Sequence, residues 1–378
     1  MSEFQEKIMN KKQRLNWIML FLSLMMFLSL LFSSSALSQG DAKSFYEKGT
    51  DYLRKGELDD AINSLTSSIN ILASVIARTS DQNILIAESL NNRGLAYFKK
   101  NELANAISDY TNAMDYNPED TKILNNIGLA YYVQNDYENA ISWYERAVGY
   151  ITVTEPLHAD LYNNLGVCYA NKVPPDFKKA REAYDKAIEI SSTVTDSEEM
   201  VIDDSSANYT DAYYNRGNLY YNQKKYDEAI SDYSVSINFY KAALDANTDV
   251  YGNAHYNRGL CYYNKGNFSD AIKDYEEAIR LLPEYSWAYY AKGFAHYMLY
   301  ENDEAMSEYE KVIGSDIDQY AKFGIGLVYV RKKSTFDTGM TYLEQSCNSG
   351  NCEIACQALE QGLFAETGTI INFEPMVQ

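Results

Sequence analysis

Proline is scarce in this chain, 6 in 378 residues. A proline fixes φ and removes a backbone donor, so scarcity takes away the main obstacle to long helices. Histidine is scarcer, at 3, and cysteine stands at 5. His158, His255 and His296 have no Cys or carboxylate at a metal-ligand spacing, so no metal site is expected. Phosphate-cradling glycine loops and nucleophile motifs are missing too, and neither a cofactor nor catalysis is expected. Positive charge is in deficit: 33 Lys and Arg face 53 Asp and Glu, a net charge of −20. Such a surface repels nucleic acid and anionic lipid and favours neutral or basic partners.

Long apolar runs are confined to one place. Lys7, Lys11, Lys12 and Arg14 precede an apolar stretch from Trp17 to Phe32, and Ser33 to Gln39 turn small and polar. That order is the order of a secretory signal peptide, with Ala36 and Ser38 forming a small-x-small cleavage site. The run is shorter than the ~20 residues that span a bilayer. Extended over residues 17–37 it also reads as an inner-membrane anchor, so residues 1–38 are expected to be one or the other. Both readings send the remainder out of the cytoplasm, to the periplasm or beyond. Removing residues 1–38 takes away four basic and two acidic residues and moves the net charge from −20 to −22.

Tyrosine is what the chain has in excess: 35, against 14 Phe and 3 Trp. Most of it follows a period. A glycine followed by alanine twelve residues later recurs at Gly49/Ala61, Gly94/Ala106, Gly128/Ala140, Gly217/Ala229, Gly259/Ala271 and Gly293/Ala305. Gly166/Ala180 is the same pair with two extra residues. Tyrosine stands three residues after most of these glycines and four after most of these alanines, as at Tyr97 and Tyr110. Within each unit, apolar and small residues recur at helical spacing on either side of a short polar turn, which predicts a helix pair. One pair cannot bury its apolar face alone, so neighbours must stack.

This pattern resembles the tetratricopeptide repeat in a tyrosine-rich form. The resemblance implies an all-α, right-handed superhelical solenoid of stacked antiparallel helix pairs. With Gly at repeat position 8, the array over residues 39–346 divides into units near 42–75, 87–120, 121–154, 159–194, 210–243, 252–285 and 286–319. A degenerate eighth, 320–346, keeps Tyr329 and Tyr342 but loses the alanine. The gaps at 76–86, 195–209 and 244–251 are expected to extend helices or form loops, with acidic 195–209 the best loop. Residues 347–378 are expected to form a capping helix and tail.

Some repeat positions read as structural. Arg93, Arg216 and Arg258 at position 7 are each followed sixteen residues later by Asp109, Asp232 and Asp274, and Lys292 by Glu308. Where position 7 is Ile127 or Leu165, the later residue is Trp143 or Ala183. Basic residues thus travel with acids, as a salt bridge between the two helices of a unit requires. Cys168 and Cys261 share position 10, where they are expected to pack. Cys347, Cys352 and Cys356 cluster near the end, and in an exported chain they read as a disulfide before zinc. Cys352 and Cys356 lie one helical turn apart, ~5–6 Å between Cβ atoms, too far for an easy bridge. A bond from Cys347 to Cys356 is expected, leaving one cysteine over; the segment is similar to cysteine-bearing Sel1-like repeats.

Partner-facing residues follow from the helical wheel. Positions 2, 5, 6, 9, 12 and 13 of the first helix share a side, which in the family lines the concave, peptide-binding surface. Position 6 carries Asn92, Asn126, Asn164, Asn215 and Asn257 in successive units. An amide both donates and accepts, so such a row can hold an extended peptide backbone without reading its side chains. It resembles the asparagine ladder of the O-GlcNAc transferase superhelix. The same amides can instead bond between neighbouring helices. Position 5 turns aromatic at Tyr214, Tyr256 and Tyr290, and position 12 at Tyr221, Tyr263 and Tyr297. Aromatic rims suit apolar or proline-containing segments. The carboxylate clamp of chaperone-binding relatives is missing, since Tyr46, Thr50 and Asn126 stand where its residues belong. The chain is therefore expected to be a non-catalytic scaffold for a protein or peptide segment. A receptor for a glycan or small ligand is the alternative.

Overall fold

The computed structural model describes residues 40–75, 77–151, 157–195, 204–242, 248–331, 333–349 and 353–360. The expected signal or anchor and the tail from 361 lie outside them. Among the described residues regular structure is wholly helical. The chain divides into two compact bodies, Met1–Val153 and Thr154–Gln378. The N-terminal body contains the pairs α1 (residues 40–55) with α2 (Leu58–Ala73), α3 (Ser80–Lys99) with α4 (Leu103–Met114), and α5 (Thr121–Val133) with α6 (Tyr137–Gly149). The C-terminal body contains α7 (Leu157–Asn171) with α8 (Phe177–Thr195), α9 (Asp204–Asn222) with α10 (Tyr226–Ala242), and α11 (Thr248–Asn264) with α12 (Phe268–Leu281). It continues with α13 (Ser286–Met298) and α14 (Asn302–Glu310), α15 (Asp318–Val330) and α16 (Phe336–Asn348), and ends in α17 (Glu353–Glu360).

The pairing has a simple steric cause. A Cβ placed on Gly94 would lie 2.6 Å from the Tyr110 ring, and one on Gly259 2.6 Å from the Tyr275 ring. The position 24 tyrosine thus lies flat on the bare backbone of position 8 in its own pair. Tyr110, Tyr144, Tyr233, Tyr275 and Tyr309 are among the largest fully buried side chains. Burying a side chain of this size contributes about 2 kcal/mol. The turn between helices repeats as well. Gly56, Asn101, Asn135, Lys224, Gly266 and Tyr300 all stand seven residues after the position 8 glycine, with φ between 59° and 79°. Glycine and asparagine enter this left-handed region easily; Lys224 and Tyr300 do so against preference.

Three expectations are refined. Helix α3 starts at Ser80, capped by Thr79, whose hydroxyl accepts from the Gln82 N–H while the Gln82 side chain accepts from the Thr79 N–H. Most of the 76–86 gap is therefore an extended helix. The described part of the 195–209 gap is helical, because α9 begins at Asp204; residues 196–203 lie outside the described segments. In the eighth pair the alanine place is taken by Gly339, whose Cβ would meet Val330 at 2.6 Å. Gly326 then packs on Leu343 rather than Tyr342, one residue out of the earlier step, and Tyr342 stacks on Tyr329 with 5.8 Å between ring centres.

Four position 7 cations, Arg93, Arg216, Arg258 and Lys292, each join three helices, whereas Lys48 of the first unit is exposed. Arg258 on α11 donates through Nε and Nη2 to both oxygens of Asp274 on α12, at 2.8 and 2.7 Å, and through Nη1 to Ser234 Oγ on the preceding α10. Arg93 does the same with Asp109 and Thr66, and Arg216 with Asp232 and Asp185. Lys292 reaches Glu308 at 3.2 Å and Glu276 at 3.0 Å. The bridge expected within a pair is present, and a contact to the previous pair is added. Burial alone would raise the Asp274 carboxyl, but hydrogen bonds from Arg258 and His255 overcome it and hold the group below its ordinary range.

Candidate protein-binding face

The first helices of successive pairs touch one another: α3 with α5 in the N-terminal body, and α7 with α9, α9 with α11, α11 with α13 and α13 with α15 in the C-terminal body. Their outward positions form a face in each body. The asparagines of position 6 lie half-buried on it, and four of the five bond to the preceding first helix. Asn126 Nδ2 donates to Asn91 Oδ1 at 2.8 Å, and Asn92 Nδ2 donates to Thr50 Oγ1 at 3.1 Å. In the C-terminal body Asn215 donates to Asn163 at 3.0 Å, and Asn257 donates to the Tyr214 hydroxyl at 3.1 Å and to Asn218 at 3.0 Å. These four amides each spend a donor on stitching adjacent helices together. Asn164 is half-buried on the same row of α7.

The aromatic expectation needs correcting. Tyr256 and Tyr290 are only 5% and 6% exposed, so they offer little surface to a partner. Tyr256 packs on Tyr275 and Tyr285, and Tyr290 on Tyr309 and Tyr320, with ring centres 4.9 to 5.9 Å apart. A bulky ring at position 5 gains more by filling the space between neighbouring first helices than by standing in water. Tyr214 is half-buried, and its hydroxyl takes the Asn257 proton. Tyr263 and Tyr297 at position 12 are buried also, and Tyr221 is half-buried.

What remains open at position 2 is a row of different chemistry: Asp160 on α7, Asp211 on α9, Asn253 on α11, Trp287 on α13, with Tyr320 on α15 beyond it. Asp160 and Asp211 are half-buried and close enough to repel each other. Burial, then the Asp211 charge, pushes the Asp160 carboxyl up to about 6. Burial raises Asp211 too, although the Tyr240 hydroxyl donates to it at 2.6 Å. Among the described residues no Lys, Arg or His forms an ion pair with either. At the other end Trp287 and Tyr320 stack with ring centres 5.0 Å apart. Sequence reasoning placed position 2 on this face but did not single out the acids. Two successive acids at one repeat position were the available signal.

The described residues contain no group of three or more His, Cys, Asp and Glu able to hold a metal. Cys347 and Cys356 are bonded, with Cα atoms 4.8 Å apart, and Cys168 and Cys261 are buried free thiols pushed up to about 12 by burial. Cys352 lies outside the described residues.

Comparison with known proteins agrees with the fold. A tetratricopeptide-repeat family model matches residues 210–234 and 252–285, and a second such model matches residues 91–152. The chain carries tetratricopeptide repeats in these segments. Among solved structures it is similar to the apo form of RapI, at 12% identity and a TM-score of 0.59 over 85% of this chain and 92% of RapI. It is also similar to BtubC (BKLC) from P. vanneervenii, at 19% identity and a TM-score of 0.51 over 59% of this chain and 90% of BtubC. At such identities the likeness concerns the fold alone. No curated protein matches the sequence.

Proposed function

We propose that this chain is a non-catalytic scaffold working outside the cytoplasm, and that the first-helix face of its C-terminal body holds an extended, basic segment of a partner protein. The repeat fold is an interaction fold, which supports the scaffold reading. The order of charges and apolar residues in 1–38 supports export, and the residue 17–37 run supports an anchor as the other form of it. Among the described residues no helix is long and apolar enough to cross a membrane.

One observation carries the choice of partner. Asp160 and Asp211 repel each other on adjacent first helices, partly out of water, and among the described residues no cation pairs with them. A lysine or arginine of a bound segment relieves that repulsion and gains two charge-assisted contacts. The surrounding net charge of −20 draws the same partners by long-range attraction. The side-chain amides beside the pair supply further hydrogen-bonding groups for a peptide backbone.

Photocrosslinking from the α9 face in cells, followed by cell fractionation, tests both halves. The expected result is a crosslinked protein in the envelope or exported fraction, lost when Asp160→Asn and Asp211→Asn are combined in a chain that keeps its helical signal. A crosslink formed in the cytoplasm overturns the location. A partner retained by the double variant overturns the assigned face. Retention of neutral oligosaccharides with no protein partner would favour the glycan reading instead.

A further inference from the structure

Helix α17 is eight residues long, from Glu353 to Glu360. Isolated helices shorter than ~12–15 residues are marginal in water, so α17 depends on what it packs against. Its one substantial packing partner is α16. Ala355 is fully buried there, and Leu359 is partly buried in the apolar cluster that holds Leu343, Met340 and Cys347. Among its described side chains only Ala355 is buried, with Cys356 and Leu359 partly so. The Cys347–Cys356 bond crosses that interface, closing a loop of sequence separation 9. The buried thiols Cys168 and Cys261 stand far from reactivity at neutral pH, because burial pushes both up to about 12. Cys347 and Cys356 are only half-buried. Thiol chemistry of the described residues is thus concentrated at the end of the array.

We propose that Cys347–Cys356 is a redox latch: oxidised, it holds α17 on α16 as the cap of the array; opened by a dithiol reductant, it lets α17 leave. In the opening step a thiolate of the dithiol attacks one protein sulfur, and the other leaves as a thiolate and takes up a proton. The second thiol of the reductant then displaces the first protein sulfur. The protein gains two electrons and two protons as two thiols, and the dithiol becomes a disulfide. Release uncovers the part of α16 that α17 covers and lets α17 move independently of the array. The latch does not depend on which partner the first-helix face holds.

Loop closure over about ten residues favours docking by roughly 100-fold, which sets the size of the switch. Hydrogen exchange of the full chain before and after treatment with dithiothreitol tests it, with alkylation counting the thiols exposed. The expected result is up to about 100-fold faster exchange in 353–360, a smaller rise in 336–348, and no change in α12. The pair Cys352→Ser and Cys356→Ser is expected to show the same pattern without reductant. Unchanged exchange in 353–360 after both thiols have been alkylated would overturn the latch, because packing alone would then hold α17. A bond that the dithiol fails to open in the folded chain, or loss of α15 and α16 together with α17, would overturn it as well.

Discussion

Asp274 and Asp160 are two carboxylates of the C-terminal body that the fold treats in opposite ways. Asp274 sits in the seam between α11 and α12, gripped by Nε and Nη2 of Arg258 and by His255 Nδ1 at 2.9 Å. Asp160 sits on the first-helix face beside another acid, and among the described residues no cation pairs with it. The first is held below its ordinary range, and the second is raised to about 6. Arg258 and His255 donate to the seam carboxylate, whereas among the described residues no cation pairs with Asp160, and that difference is what the proposed basic segment would act on.

Breaking the seam should give the largest loss. Arg258→Ala strands the Asp274 carboxylate at 4% exposure, and a cost on the order of 3 kcal/mol is expected, read from denaturant unfolding of the C-terminal body. Adding Asp274→Ala should recover part of it, since the stranded charge goes too. Next comes Gly259→Ala, whose new methyl would lie 2.6 Å from the Tyr275 ring. About 1–3 kcal/mol is expected, against no loss for Gly149→Ala, where no atom lies within 4 Å.

The seam also contains flaws, which sharpen the comparison. The Tyr233 hydroxyl donates to Asn218 at 2.7 Å, because position 9 is polar in that pair. In the next two pairs position 9 is Leu260 and Phe294, and the Tyr275 and Tyr309 hydroxyls are buried with no hydrogen-bond partner. Tyr275→Phe is expected to raise stability by about 1 kcal/mol and Tyr233→Phe to lower it by about as much, both measured by thermal unfolding.

On the face the effect on stability is set by pH. Asp160 has a folded pKa raised above its ordinary 3.8, so its ionisation opposes folding. Its contribution is most favourable below about 3.8 and is lost as pH rises through about 6. Asp160→Asn should therefore melt higher than wild type at pH 7.5, with the gap closing by pH 4. Asp274 runs the other way: its stabilisation is present above its unfolded value and is lost as pH falls through its lowered folded value. A gap that widens on acidification would show that the Asp160 carboxyl is not the strained one.

Much of the seam was legible in the sequence, because a repeat supplies its own internal comparison. The Gly259/Tyr275 step and the Arg258/Asp274 step recur along the chain, and Ile127 with Trp143 shows what happens when both charges go together. The contact from Arg258 to Ser234 was not legible, since position 25 varies among Thr66, Asp185, Ser234 and Glu276. Any oxygen that reaches suffices there. The face was read less well. A helical wheel treats Asn215 and Tyr256 alike, but a ring fills the gap between neighbouring first helices where an amide stays at its edge. Asp160 and Asp211 escaped notice because acids in a chain of charge −20 look like solvated surface until burial and proximity are known. Leu343 replaced Tyr342 through a single inserted residue, which no spacing rule anticipates.

The most direct test of the open face is a fluorescence anisotropy titration of a labelled, extended lysine-bearing peptide against the chain from residue 39, beside a matched peptide bearing glutamate. The account predicts binding of the lysine peptide at pH 7.5, weaker binding at pH 5, and loss of binding when Asp160→Asn and Asp211→Asn are combined. Equal binding of the two peptides, or lysine-peptide binding unchanged in the double variant, would contradict it.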